Sequence, residues 1–333
     1  MTTPVVDGIQ LRTDSKDKVQ DRGRYAVPAV IAGVLLATVA LGGLTNDAFL
    51  TSTNILAILR SAAITGIVAL GATFITISGR FFSLALAQTA VFSSVIFALL
   101  LRAGIPFLLA LLVTLLAAVA LGCIQGAVVS MGANPIVTTL GAGALLAGLA
   151  GLLTDGKSIR ISDAAASWIG NARPWGIPTQ TLTFLLLIVV AALIMRRTRL
   201  GRATLLTGAN RATAEACGIA VWRVTVAAFV LASAAAAVAG VFGAAQFEQA
   251  RISEFSGLDF DVVAAVLIGG TAIQGGEGSP LRTALGAVFI AMVQNYMLLL
   301  RFPFGLRTLI LGGLILLAVV AFHILRRRRG GAA

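Results

Sequence analysis

The sequence predicts an all-α integral membrane protein of about ten transmembrane helices with both termini in the cytoplasm. Three observations predict it. Of 333 residues, 58% are hydrophobic and 11% are charged, against about 25% charged in a soluble domain. The apolar residues gather in runs close to the roughly 20 that a membrane helix needs. The 25 Lys/Arg and 13 Asp/Glu stand at or near the ends of those runs, where lipid does not penalise them.

Residues 1–24 form a polar tail in which Arg12, Lys16, Lys18, Arg22 and Arg24 mix with four aspartates. This composition is too long and too mixed for the leading region of a signal peptide, so the tail is expected to be disordered and the first apolar run to be retained. Spans are expected at 26–44, 55–78, 84–101, 105–130, 136–153, 181–195, 222–245, 258–270, 280–300 and 306–325. The run 258–270 is short for a full crossing and is expected to be tilted or broken. The transmembrane domain thus covers 25–325, a charged loop covers 196–221, and a basic tail covers 326–333.

Ten crossings place both termini on one side. That side collects 17 of the 25 basic residues and a net +11, against +1 on the other. Basic loops stay in the cytoplasm, which puts the termini and the 196–221 loop there. The net charge of +12 therefore speaks for a membrane-lipid surface and not for nucleic acid.

Composition also excludes chemistry. Two cysteines and one histidine supply neither a disulfide framework nor a Cys/His metal cluster, and no metal or cofactor is expected. No ionisable residue falls at the middle of a span, where proton-coupled carriers keep one. A membrane enzyme would need a histidine or carboxylate pair at depth, and His323 lies beside the terminal arginines. The run Gly151 to Ser158 fits G-x-x-x-x-G-K-[ST], but that pattern binds phosphate only between a strand and a helix. It is read as coincidence, and no catalytic residue is assigned. Glycine and alanine crowd the spans, as in Gly122-Cys123-Ile124-Gln125-Gly126, and small residues let membrane helices approach closely.

Within the 196–221 loop, Asn210 suits an N-cap, Arg211 to Cys217 a short alanine-rich helix, and Gly218 a C-terminal stop. A helix of that length is marginal alone, so it is expected to pack on something. The residues alone leave an ordinary membrane-edge loop as the other reading.

At this point the chain resembles a known family. Gly208-Ala209-Asn210-Arg211-Ala212 through Ala214-Glu215-Ala216-Cys217-Gly218-Ile219, with Val221, looks like the cytoplasmic loop of ribose-type sugar-uptake permeases of ATP-binding-cassette (ABC) transporters. Ala264 to Thr271 followed by Gly275-Gly276-Glu277-Gly278-Ser279, and Asn134 to Gly141, are similar to two further blocks of that family. The resemblance runs from about residue 55 to 322 and extends to the related branched-chain amino-acid permeases.

The resemblance implies a permease subunit of a bacterial plasma (inner) membrane importer. Two such subunits, identical or paralogous, form the path. Separate cytoplasmic ABC ATPases hydrolyse ATP, and an extracytoplasmic solute-binding protein delivers the solute. By position, the ATPase-coupling role falls on Asn210, Ala214, Glu215, Ala216, Gly218 and Ile219. A monosaccharide or similar small polar solute is the expected cargo, with nucleosides, branched-chain amino acids and a stand-alone secondary carrier as alternatives. Gln88, Thr89, Gln125, Thr138, Thr139, Gln294 and Asn295 are the polar residues inside spans that suit sugar hydroxyls, or else bond helix to helix for about 1 kcal/mol each. Trp168 and Trp175 suit interface anchors or binding-protein contacts. The chain departs from the family at Ser78 to Ala85, where Phe81 takes the place of an aspartate.

Overall fold

The computed structural model describes Gly33 and residues 36–330; the expected disordered tail 1–24 lies outside the described residues. The helices are α1 Leu36–Thr45, α2 Ser52–Ile77, α3 Leu86–Arg102, α4 Phe107–Ser130, α5 Pro135–Thr154, α6 Ala164–Asn171, α7 Thr179–Arg197, α8 Arg199–Ala209, α9 Arg211–Ala216, α10 Val221–Phe247, α11 Leu258–Ile268, α12 Pro280–Leu299 and α13 Phe304–Gly330. Each of the ten expected spans falls on one of these. By length and apolar composition α2, α4, α5, α7, α10 and α12 can cross a membrane; α1, α3 and Phe304–Leu317 of α13 are shorter apolar helices. The chain is thus a helical multi-pass membrane protein.

Helices α2 and α10 form the buried centre, and glycines set how closely their neighbours sit. A Cβ on Gly71 would stand 2.7 Å from the Ala232 Cα, and on Gly122 and Gly126 2.7 Å from the Val230 and Val226 Cα atoms. Backbone therefore meets backbone where α10 crosses α2 and α4, as small residues permit. The outer faces of α4 and α5 are apolar and open, with Leu108, Leu145 and Leu152 more than two-thirds exposed. In water such a surface would be costly; in lipid it is solvated.

Two features go beyond the expected elements, a helix before α9 and a short β ladder. In the segment 196–221 the short helix expected from Arg211 is present as α9, and α8 precedes it. Thr198 Oγ1 accepts from Gly201 N at 3.2 Å and starts α8, whose buried face is Gly201, Thr204 and Thr207. At the C-terminus α13 runs on to Gly330 and includes Arg326 to Arg329. The stretch after α5 holds a two-residue antiparallel ladder, β1 (Ile159–Arg160) with β2 (Gln249–Ala250), pairing Ile159 with Ala250. The Gly151 to Ser158 run ends α5 with Asp155 at φ 50° and Gly156 at φ 70° and leads into β1. That order, helix then strand, is the reverse of a phosphate loop.

Two helices begin inside the bundle. Ala90, in the second turn of α3, lies against Gly240, seven residues before the end of α10. Asp259 in the first turn of α11 accepts from Ala87 N at 3.0 Å, so the N-termini of α3 and α11 meet. A carboxylate there also complements the positive end of the α3 dipole.

Candidate functional site

The end of the bundle that carries α8 and α9 is also rich in arginine, at Arg196, Arg197, Arg199, Arg202, Arg211 and Arg223. Six residues form α9, and both its ends are closed. Asn210 Oδ1 accepts from Thr213 N at 3.0 Å, as an N-cap does. Gly218, at φ 77°, donates to Glu215 O, and Ile219 N reaches back to Ala214 O, both at 3.0 Å. That pair of bonds is a Schellman closure. Arg211 Nε and Glu215 Oε1 stand 2.9 Å apart along the helix, so the Glu215 carboxylate is already engaged within α9. Ala214 is buried, while Arg211, Ala212, Thr213, Glu215 and Ala216 are exposed. Helix α9 is thus a short helix held by its caps and turned outward.

Behind α9 lies a knot of glycines. Gly276 N donates to Ile77 O at 2.9 Å, joining the 269–279 segment to the end of α2. A Cβ on Gly208 would fall 1.8 Å from that same Ile77 oxygen and 2.4 Å from Gly276 N. One on Gly275 (φ 90°) would fall 2.6 Å from the Gly79 Cα. The end of α8, the end of α2 and the 269–279 segment thus touch through bare backbone. Beside the knot Arg80 is held below its ordinary range by burial first and by Arg211 second, with Glu215 opposing.

At the other end lies a cavity of about 490 Å³ between α2, the ends of α10 and α12, the start of α11 and the 251–257 connection. Its polar wall includes Arg60, Arg173, Gln246, Glu254, Asp261 and Gln294. Gln294 Nε2 donates to Asp261 Oδ1 at 2.5 Å. Burial raises the Glu254 carboxyl to about 7, against the opposing influence of the Arg251 backbone and charge. A second cavity of about 740 Å³ is lined by Gln88, Lys157, Ser158, Arg251, Ser253 and Ser256. Ser256 borders both.

The seven candidate path residues separate in this arrangement. Gln88 and Gln294 reach the two cavities. Asn295 and Asn54 exchange bonds of 2.8 and 2.9 Å between α12 and α2. Thr89 Oγ1 bonds to Ala85 O, and Thr139 Oγ1 accepts from Leu84 N at 3.1 Å. Gln125 is buried, with its Nε2 unpartnered. Thr138 is half-buried near the start of α5. Among the described residues no group of three His, Cys, Asp or Glu is placed to hold a metal ion. Trp168 and Trp175 are both well exposed.

Residues 54–319 match the family described as branched-chain amino acid transport system, permease component. The chain belongs to this family. It is 33% identical over 286 residues, 85% of this chain and 86% of the relative, to the probable ABC transporter permease protein YphD of Escherichia coli. It is 29% identical over 313 residues (92% and 96%) to the ribose import permease protein RbsC of Haemophilus influenzae. With the autoinducer 2 import system permease protein LsrD of Yersinia enterocolitica it shares 29% over 308 residues, 90% and 93% of the two chains. No solved structure matches. The matched span takes in the glycine knot, α9, the second cavity and all of the first cavity's lining but Thr53, so the site belongs almost wholly to the part shared with this permease family.

Sequence reasoning missed Arg60, Glu254 and Asp261. Arg60 reads as an end residue of the 55–78 run, yet it lies in the third turn of α2. Usable signals are a charge several residues inside an apolar run, as Arg60 is, and acids on both sides of a glycine between two runs, as Glu254 and Asp259 flank Gly257.

Proposed function

We propose that the chain is the membrane-spanning permease subunit of an ABC importer for a monosaccharide or similar small polar solute, coupled to a separate ATPase through α9. The carrying observation is α9 itself, a six-residue helix closed at both ends with only Ala214 buried. Exposed helices of this length do not persist without help, and the caps hold this one in shape for a partner to grip. Asn210 and Gly218 shape it, Ala214 seats it on α8 and α10, Ala216 leaves room for close approach, and Ile219 completes its closure. Ten crossings, cytoplasmic termini and residence in a bacterial inner membrane are the arrangement this reading requires, because the ATPase face must meet ATP. A solute-binding protein would then dock at the cavity end, and a second permease chain would complete the path. Relatives named for ribose and for autoinducer 2 import support a small polar cargo.

The test is co-purification from the native membrane in mild detergent. An ABC ATPase is expected with the intact chain. Asn210→Ala removes the cap, at about 1 kcal/mol, and is expected to cut ATPase recovery several-fold while the melting midpoint of the bundle stays in place. Full recovery with Asn210→Ala and Gly218→Val combined would refute the coupling role of α9.

A further inference from the structure

The short ladder between β1 and β2 brings two cations together. Its register pairs Ile159 with Ala250 and Arg160 with Gln249, so the next positions outward are Ser158 and Arg251, with Lys157 beside them. Ile159 and Ala250 are buried and anchor both arms in the bundle, which fixes where Lys157 and Arg251 leave it. Like charges set close across a ladder repel, and neither side chain forms a salt bridge among the described residues. Both border the cavity of about 740 Å³, a volume within the range of small-molecule sites, about 300–1,000 Å³. Six of its eight lining residues are polar or charged, and none is an aspartate or a glutamate. Lys157, Ser158, Arg251 and Ser256 are exposed, so their polar heads are within reach of a molecule that enters. The carboxyl groups of the flanking chain do not line this space. Glu248 takes the Ser167 hydroxyl at 2.6 Å, Glu254 lines the first cavity, and Asp155 caps the end of α5. Gln88 brings in the first turn of α3, whose dipole is positive at that end, although the Ala87 amide is already taken by Asp259. Such a wall attracts an anionic oxygen group. Its serine hydroxyls and the Gln88 amide suit the hydroxyls of a carbon skeleton that carries one.

We propose that this second cavity is a binding site for a small hydroxylated solute bearing one anionic group, a carboxylate or a phosphate ester. Lys157 and Arg251 hold the anionic group, and Gln88, Ser158 and Ser256 meet the hydroxyls. The site rests on the transport reading and narrows its cargo from small polar solutes to acidic ones.

The test reads occupancy directly and needs no ATPase. Cys123 and Cys217, both exposed, are replaced by serine, and Ser253→Cys puts one thiol on the cavity wall. The chain is reconstituted in lipid nanodiscs and labelled with methyl methanethiosulfonate, which is small and neutral. Sorbitol, D-gluconate and N-methyl-D-glucamine share a six-carbon hydroxylated skeleton and are neutral, anionic and cationic in turn. D-glucose 6-phosphate and inorganic phosphate complete the set, all at equal millimolar concentration and ionic strength. Gluconate or glucose 6-phosphate is expected to slow labelling several-fold, and which of them does so tells a sugar acid from a sugar phosphate. Sorbitol and N-methylglucamine are expected to leave the rate unchanged. Protection, taken as the ratio of rates without and with probe in the same chain, is expected to fall several-fold in Lys157→Gln and in Arg251→Gln. Protection by neither organic anion overturns the proposal, as does equal protection by sorbitol or N-methylglucamine, or protection that survives both substitutions. Inorganic phosphate protecting as strongly as the organic anions also overturns it, since the hydroxylated skeleton then counts for nothing. The five probes on the chain that keeps Lys157 and Arg251 decide the matter even where a substituted chain fails to fold. Protection in a chain that recovers no ATPase would sink the coupling role of α9 and leave the site standing; ATPase recovery without protection would do the reverse.

Discussion

The two ends of the molecule are built on opposite rules. At the α9 end, backbone lies against backbone and α9 is closed by caps and turns, with Arg80 Nη2, Thr207 Oγ1 and Thr271 Oγ1 buried and unpartnered nearby. At the cavity end, charged side chains surround empty volume, and some of their atoms have no partner. Close packing transmits displacement because interiors are nearly incompressible, whereas a polar-walled cavity leaves room for a bound molecule. On the transport function proposed above, the close-packed end is the one suited to pass on motion and the open end the one suited to face a solute.

The sharpest way to break this comparison is at the knot. Gly208→Val puts a Cβ onto the Ile77 carbonyl and the Gly276 amide, where only backbone is present to yield. Overpacking of this kind costs about 1–3 kcal/mol or more. The expected outcome is loss of a cooperative melting transition and of surface expression, read by fluorescence-detected chromatography. Normal expression and melting would show that the knot is slack.

A smaller effect is expected at the cavity. Glu254 is raised to about 7 from an ordinary 4.5 by burial, so the folded chain binds this proton more tightly than the unfolded chain. Stability from that proton is complete below about 4.5 and is lost as pH rises toward 7, levelling off above it. Arg251 on the same connection and Arg60, Arg173 and Asp261 across the cavity are the charged groups that face it. The melting midpoint is expected to fall by a few degrees over that window. In Glu254→Gln this part of the slope disappears, so identical slopes in the two chains would remove Glu254 as its source.

The smallest effect belongs to the Arg211–Glu215 pair. Both side chains are half exposed, and such a helix pair contributes about 0.3–0.5 kcal/mol. Glu215→Gln is expected to leave the melting midpoint of the chain within error. A shift of several degrees would mean that α9 is structural support for the bundle and not an outward surface.

Much of the scaffold was legible. Apolar runs mark every helix that can cross a membrane, because lipid demands length and apolarity and little else. Asn210 and Gly218 were legible as caps because capping is local chemistry. Helix α8 was not, since the face it buries is Gly201, Thr204 and Thr207 instead of leucine, and small-residue packing leaves no apolar stripe to read. The cavity residues escaped for a related reason. Arg60 and Asp261 look like membrane-edge anchors until α2 is seen to start three residues earlier than its apolar run, and α11 to begin inside the bundle. Among the path candidates, hydrogen bonding alone does not separate a lining residue such as Gln294 from a helix-bridging one such as Asn295; only position around the helix does.

A short connection leads from the glycine knot to the start of α3. Gly79 sits in the glycine knot, and Leu86 begins the helix whose next amide is held by Asp259. The stretch between them is not helical and spans at most about 25 Å when drawn out. It is pinned along its length, by Arg80 N on Ile75 O and by Leu84 N on Thr139 Oγ1, with Ser83 and Ala85 buried. A short connection anchored at both ends and in the middle acts as a brace: the end of α2, the start of α3 and the start of α5 keep a fixed spacing and move, if at all, as one block.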